Sequence, residues 1–240
     1  KMAHESFFED TIRGVFREVS GPIFGSQDVG ISPGGAMDQF ALECGNALLG
    51  NPAGSPALEI LVPPVLVVKK PVLLALTGAA LPGATMEGDG PSTPLEPGTV
   101  YLAHRGTRLR CGSKKGGVWS YLCFRDAEAP LSIAPIVGRS LLGLGIQGEQ
   151  CGNGALIRVI DGPDLHVLEN PETFFSTPWT VARDSNEMGM RLTSSATLAA
   201  TAENMVSEAV STGTVQLTPA GPIILLRRRQ TVGGYPRIYS

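Results

Sequence analysis

Short apolar runs broken by glycine and proline recur along the whole chain, and that spacing limits what it can fold into. Val65 to Val68, Val72 to Thr77, Val100 to Ala103, Thr107 to Cys111 and Val118 to Phe124 read as strands of a first half. Ala155 to Ile160, Trp179 to Val181, Thr214 to Leu217 and Ile223 to Leu226 read as strands of a second half. The 30 glycines and 19 prolines are about a fifth of the 240 residues and supply the turns. Strands this short and this evenly spaced favour a barrel or a sandwich over βαβ units. The expected fold class is mainly β with a few helices. The expected division is a first β subdomain at 1–130, a glycine-rich connection at 131–154 and a second β subdomain at 155–240, with interleaving of the two left open.

Two helices interrupt this pattern. Asp38 to Leu49 carries an apolar stripe of Phe40, Leu42, Cys44, Ala47 and Leu48, and Gly50 and Pro52 stop it. Asp38 stands where a carboxylate accepts the unpaired N–H groups of a first helical turn. A short second helix follows Asn170, with Asn170 at the cap, Pro171 at the first helical position and Glu172 in the first turn.

Charge excludes several classes of function. The formal net charge is −3 and charged residues are only 17%, which suits neither a basic nucleic-acid arm nor an acidic disordered tail. Apolar stretches at Ile60 to Val68 and Val72 to Ala75 are broken by Pro63, Pro64, Lys69, Lys70 and Pro71, so no run is long enough to span a bilayer. The first residues show no basic segment followed by an apolar one. Cys44, Cys111, Cys123 and Cys151 are widely spaced, as are His4, His104 and His166. Neither set has metal-ligand spacing, and no metal site is expected. A reduced, cytoplasmic setting is the expectation.

Two motifs are weak. Gly143-Leu-Gly145-Ile-Gln-Gly148 matches a dinucleotide fingerprint, but Glu149-Gln-Cys-Gly-Asn-Gly after it does not continue a helix. Arg227-Arg228-Arg229 follows an apolar run. On an extended chain Arg227 and Arg229 share a face, as a solvated strand end or as an anion clamp.

Four polar, glycine-bearing clusters carry more information. They are Gln27-Asp28, Ser32-Pro-Gly-Gly-Ala-Met-Asp38, Asp184-Ser-Asn-Glu-Met-Gly-Met-Arg191, and Gln216 through Thr231-Val-Gly-Gly-Tyr-Pro236. Gly34 and Gly35 ahead of a helix let the backbone approach a ligand and aim N–H groups at it. Asp184, Ser185 and Arg191 are suited to a polar network in which arginine takes a carboxylate in a bidentate fork. Gly233 and Gly234 make a tight turn with the Tyr235 phenol at its rim. Gln27, Gln216 and Thr231 offer paired donors and acceptors for a planar amide or ureido group.

These residues also carry a resemblance. Gln27-Asp28, Gly35-Ala-Met-Asp38, Asn46-Ala-Leu-Leu-Gly-Asn51, Leu58-Glu59, Leu76-Thr-Gly-Ala79, Asp184 to Leu192, Ser207-Glu208 and Gln230-Thr-Val-Gly-Gly-Tyr-Pro236 run in the order found in the allophanate hydrolase subunit 2 family, which also contains the C component of 5-oxoprolinase. The chain resembles that family from about Arg17 to Ser240. The same module is the second half of the carboxyltransferase domain of urea carboxylase.

The resemblance implies two cyclophilin-like β-barrel subdomains. It implies a subunit of an ATP-dependent 5-oxoprolinase that opens 5-oxoproline to glutamate. Its partners would be a subunit 1 homologue, which is the B component of 5-oxoprolinase, and a lactam-utilisation-type subunit, with ATP used by the complex. Under a carboxyltransferase alternative, biotin would arrive on a carrier in trans, because this chain holds no Met-Lys-Met site. A second alternative is a regulatory or binding homologue without turnover. The candidate catalytic residues are Asp38, Asp184, Arg191 and Tyr235. Gln27, Asp28, Gly34, Gly35, Ser185, Gln216, Thr231, Gly233 and Gly234 are the candidates for binding a small amide or ureido substrate. The chain departs from the family at Asn186-Glu187, where relatives carry Asp-Arg, and in lacking a Gly-Arg loop after Asp28.

Overall fold

The computed structural model describes residues 2–12, 14–114, 116–130, 150–151, 154–201 and 205–240. Most of the glycine-rich connection, including Gly143 to Gly148, lies outside the described residues. The chain forms two compact units, Lys1–Pro22 with Asp38–Ile146, and Ile23–Met37 with Gln147–Ser240. Residues 23–37 thus cluster with the second half of the chain although they lie within its first 130 residues.

The first unit contains β1 (Phe8–Ile12), β2 (Val15–Val19), α1 (Gln39–Leu48), β3 (Ala57–Val62), β4 (Val65–Val68), β5 (Val72–Gly78), β6 (Thr85–Glu87), β7 (Thr93–Pro94), β8 (Val100–Ala103), β9 (Arg108–Arg110) and β10 (Ser120–Asp126). They form two antiparallel sheets, in the orders β1-β4-β9-β6-β7 and β2-β3-β10-β5-β8. Among the described residues, neither sheet closes on itself by hydrogen bonds. Both contribute to one core, in which Leu66 and Leu109 of the first sheet join Leu58, Leu74 and Leu122 of the second. β5 and β10 are near-continuous apolar runs because both of their faces are covered, one by this core and the other by α1.

Helix α1 has the position expected of it and a different buried face. Its Asp38 cap accepts the Ala41 N–H at 3.0 Å. The buried residues are Ala41, Leu42, Gly45 and Asn46, with Leu49 just beyond, while Phe40 is 54% exposed. The stripe through Phe40, Cys44 and Ala47 is therefore corrected. Gly45 explains the rotation: a Cβ there would lie 2.4 Å from Cys123 Sγ, so glycine lets the helix backbone approach β10. Asn46 is buried because its amide donates to the Ala53 and Ser55 carbonyls and accepts from Asn51. Leu42 and Leu49 are fully buried, a contribution of about 2 kcal/mol each. Arg125 of β10 donates to the Gly50 carbonyl at 2.7 Å, close to the C-terminal end of the helix.

A polar row lies under the start of α1. Arg17, Glu59, Tyr121 and Thr77 stand directly opposite one another on β2, β3, β10 and β5, so their side chains share a face. Glu59 is fully buried and pairs with the Arg17 guanidinium. The Tyr121 hydroxyl donates to Glu59 at 2.7 Å and accepts the Asp38 N–H at 2.8 Å. Burial, with the Glu59 carboxylate alongside, raises the Tyr121 phenol above its ordinary range. Thr77 donates to the Ala41 carbonyl at 2.8 Å.

The second unit contains β11 (Gln150–Cys151), β12 (Gly154–Ala155), α2 (Glu172–Ser176), β13 (Thr180–Val181), β14 (Gly189–Thr193), β15 (Glu208–Ala209), β16 (Val215–Thr218), β17 (Gly221–Leu225), β18 (Val232–Gly233) and β19 (Arg237–Tyr239). Its main sheet runs β13-β14-β17-β16-β19, and β15 pairs with β18. Leu168, Val215, Ile238 and Tyr239 form its core. Asp164 fastens β19 by accepting from the backbone N–H and the guanidinium of Arg237, both at 2.9 Å.

Three local expectations are corrected here. Ala155 to Ile160 is not one strand. Only Ala155 belongs to a ladder, and pairing resumes at Ile160, which exchanges backbone bonds with Ser240. Arg227 to Arg229 do not continue β17, which ends at Leu225. A turn follows, in which Arg228 pairs with Glu187 at 3.1 Å and Arg229 donates to the Val210 carbonyl. These two contacts account for Arg228 and Arg229, and the three arginines do not form an extended clamp. Finally, α2 starts one residue later than expected. Pro171 occupies its cap position, and the Asn170 carbonyl accepts the Thr173 N–H.

Candidate functional site

The main sheet of the second unit brings two polar side chains, on either side of an isoleucine, onto one face from residues far apart in sequence. Arg191 of β14 pairs with Ile223 of β17, which pairs with Gln216 of β16. Directly paired residues face the same way, so these three side chains lie on one face. That face forms a cavity of about 420 Å³, lined by Arg191, Gln216, Gln230, Tyr235 and Asn186 among others.

Local chemistry holds each group. Asn186 and Gly189 close a turn, in which the Asn186 side chain accepts the Met188 N–H at 2.8 Å. A Cβ at Gly189 would lie 2.6 Å from Ile223 Cδ1, so a larger residue there would have to displace that side chain. Ser185 Oγ accepts the Arg191 N–H at 3.0 Å, and the Arg191 guanidinium meets Asp184 at 3.4 Å. Gln216 is 1% exposed. Its amide donates to the Tyr235 carbonyl at 3.1 Å and accepts from Gln230 at 3.3 Å. A Cβ at Gly233 would lie 2.6 Å from Gln216 Nε2. Gly233 belongs to β18 and not to the expected tight turn, and the lack of a Cβ there lets that strand lie over the buried amide. Tyr235 is 46% exposed at the rim.

The structure gathers some of the expected residues and separates others. Arg191, Gln216 and Tyr235 converge on the cavity, with Ser185 and Gly233 supporting them from behind. Asp184 lines a smaller hollow of about 100 Å³ that also touches Arg191. Gly234 lines a neighbouring cavity. Thr231 is buried, and its carbonyl accepts the Val210 N–H. Gln27 turns on itself, accepting the Gly25 and Ser26 N–H groups, and Asp28 is exposed. Gly34 and Gly35 adopt positive φ, and the Gly34 N–H meets Ser32 Oγ at 3.4 Å. The Ser32 hydroxyl in turn donates to the Arg227 carbonyl. Asp38 belongs to the first unit, where its carboxylate caps α1. Gln27, Asp28, Gly34, Gly35, Thr231 and Asp38 line none of these cavities.

Sequence reasoning gave no site role to Gln230 or to the Asn186 turn. Gln230 precedes Thr231 in a motif already singled out, and its place one residue before that threonine was the available signal. Glu187 pairs with Arg228 and is not among the residues lining the cavity. Among the described residues no group of three His, Cys, Asp or Glu side chains is placed to hold a metal ion. Among them, too, no helix is long and apolar enough to cross a membrane.

The chain thus consists of two antiparallel β units, one of which presents a cation, three amides and a phenol around an open cavity. The chain belongs to the carboxyltransferase domain family, subdomains A and B, whose model matches residues 29–135 and 146–240. It is 29% identical to the C component, a subunit, of the 5-oxoprolinase of Escherichia coli (strain K12), over 89% of this chain and 77% of that protein. It is also 29% identical to the corresponding 5-oxoprolinase component of Haemophilus influenzae, over 90% and 77%. Among solved structures, that of TTHA0988 superposes with a TM-score of 0.73 at 24% identity, over 98% of this chain and 51% of that one. The K. lactis urea amidolyase gives a TM-score of 0.73 at 21% identity, over 98% and 17%. The chain therefore spans about half of the TTHA0988 chain and a smaller share of the urea amidolyase. The mainly β, two-subdomain fold agrees with these structures.

Proposed function

We propose that this chain is the C component of an ATP-dependent 5-oxoprolinase, working with a B-component homologue and a lactam-utilisation-type subunit. The carrying observation is the convergence of Arg191, Gln216, Gln230 and Tyr235 on one cavity, in a chain similar to two such C components. The substrate 5-oxoproline is a carboxylate next to a planar lactam. Arg191 binds the carboxylate in a bidentate fork. Gln230 and Gln216 meet the lactam through a complementary donor and acceptor pair. The Tyr235 phenol moves a proton at the rim. Ring opening adds water across the lactam C–N bond, with hydroxyl to the carbonyl carbon and hydrogen to the nitrogen. ATP consumption is a property of the assembly, and no residue of this chain is assigned to it. Asp184 positions Arg191, and Asp38 serves the helix.

The experiment is 5-oxoproline-dependent ADP release from the two partner subunits, with and without this chain. Release only in its presence is expected. Arg191→Ala is expected to lower turnover of the assembled complex at least about tenfold, the scale of a lost charged hydrogen bond, while partner binding persists. Unchanged turnover would remove Arg191 from the site. A second reading, as the carboxyltransferase component of a urea-carboxylating system with biotin supplied in trans, is favoured by the family that the chain matches. A complex that forms and leaves 5-oxoproline untouched moves that reading ahead.

A further inference from the structure

The hollow of about 100 Å³ beside Arg191 has room for about three waters, and an ammonium group is close to a water in size. Arg191, Thr218 and Ala220 line both it and the cavity of about 420 Å³, so the two spaces share a border. Apart from Arg191, the described polar side chains that line the hollow are Asp184, Thr193 and Thr218. The Thr193 hydroxyl donates to the Thr180 carbonyl at 3.3 Å, and the Thr218 hydroxyl donates to the Gly221 carbonyl at 2.8 Å. With both protons committed, the two hydroxyls offer only lone pairs, as the Asp184 carboxylate does. The hollow is thus a set of acceptors beside one cation. Asp184 meets Arg191 at Nε, which leaves the two terminal nitrogens of the guanidinium to fork a carboxylate. A ligand that brings a donor-rich cation next to its carboxylate satisfies both halves of this arrangement. An α-amino acid does so, because its ammonium and its carboxylate sit on the same carbon. A lactam acid has a single N–H at that place.

We infer that this site also binds the α-amino acid that ring opening produces, L-glutamate, with its α-carboxylate on Arg191 and its ammonium in the hollow against Asp184, and that the product thereby competes with the substrate. This rests on the head-group reading given under Proposed function and adds a regulation of that site. Hydrolysis of the lactam C–N bond leaves a carboxylic acid and an amine, and at neutral pH the proton passes from the acid to the amine. The nitrogen is then no longer tied to the carbonyl carbon. It turns about the α-carbon into the hollow, while the new γ-carboxylate stays with the Gln230 donors. Asp184 is exposed, which limits the gain from its ion pair with the ammonium to a few-fold in affinity.

The test titrates the full chain with L-glutamate and with 5-oxoproline by calorimetry, at neutral pH and low salt. Glutamate is expected to bind in competition with 5-oxoproline. Asp184→Asn keeps the shape of the side chain and removes its charge, and it is expected to weaken glutamate about three- to fivefold relative to 5-oxoproline. The two ligands carry the same net charge at neutral pH, so a general change of field cancels in that ratio. Should Asp184→Asn bind neither ligand, Thr193→Val decides in its place. Thr193 is exposed, and this change removes one acceptor and no charge, so the ratio is expected to move in the same direction. If 5-oxoproline binds and Arg191→Ala weakens it, but glutamate does not compete or the ratio does not move, the inference alone is overturned. If 5-oxoproline does not bind, or binds Arg191→Ala equally well, the head-group reading fails and the inference falls with it.

Discussion

Gly233→Ala isolates the packing that holds the buried amide of the site. The glycine has an ordinary φ, so alanine brings no backbone strain there. The new Cβ would lie 2.6 Å from Gln216 Nε2, 3.0 Å from Oε1 and 3.2 Å from Cδ, and these are its three nearest contacts. Gln216 must move, breaking its bonds to the Tyr235 carbonyl and to Gln230. Leaving that buried amide unsatisfied costs about 1–3 kcal/mol. Replacing glycine in a strand returns about 0.5–1 kcal/mol of backbone entropy. The net expectation is a loss of about 1–2 kcal/mol. In a Gln216→Ala background the obstructing side chain is gone, and the same change becomes neutral or stabilising by up to about 1 kcal/mol. The cycle therefore predicts a coupling of about 2 kcal/mol. Urea unfolding followed by Trp179 fluorescence in the Trp119→Phe protein reads the unit concerned. An equal cost of Gly233→Ala in both backgrounds would refute the argument, because Gln216 would then not be what the glycine accommodates.

Other consequences follow from the same geometry. Gly45→Ala places a Cβ 2.4 Å from Cys123 Sγ, so it is expected to cost about 1–3 kcal/mol by overpacking, and much less when Cys123 is alanine, as read by hydrogen exchange of α1. Burial opposes ionisation of Asp164, but the two bonds from Arg237 prevail and hold its carboxyl below the ordinary value. Asp164→Asn should therefore destabilise the second unit above the unfolded carboxylate pKa, and the difference from wild type should vanish as pH falls through the folded one, in unfolding measured from pH 7 to pH 2. Burial pushes the Cys111 and Cys123 thiols up to about 12. Mass spectrometry after brief thiol labelling of the native protein at pH 8 should find both unmodified, and rapid modification of either would contradict their burial.

What could be read in the sequence divides by range. Strands such as β4, β5 and β8 were legible because four or more adjacent apolar residues mark them. Helix α1 was legible from Asp38 and Gly50, since caps are local chemistry. Its buried face was not. The stripe of large apolar residues pointed to Phe40, whereas the helix turns Gly45 and Asn46 inward, a choice made by Cys123 on a strand more than seventy residues away. β3 hides in the same way. Its Glu59 looks like a surface residue until Arg17 and Tyr121 arrive from two other strands to satisfy it.

The site follows the same rule. Its cation and phenol could be nominated because Arg191 and Tyr235 sit in glycine-marked motifs. The one local difference between Arg191 and Asp38 was that the carboxylate stands where a helix cap belongs. Both were polar residues beside glycines, yet one is turned toward a cavity by the row of β14, β17 and β16, and the other is spent on its own helix. A cap can be recognised within four residues, and a carboxylate that satisfies a helix start has its lone pairs directed at backbone N–H groups. A binding residue is defined by what lies opposite it, and here Gln216 lies opposite through a pairing register that spans two strand crossings. Two of the residues that sequence nominated and the cavity excludes, Gln27 and Gly34, make bonds that close within their own turn. Arg191 and Gln230 are different: each has more donors than its contact with Asp184 or Gln216 uses, and both line the same cavity. Polar capacity left over after local satisfaction is the physical property that marks the site.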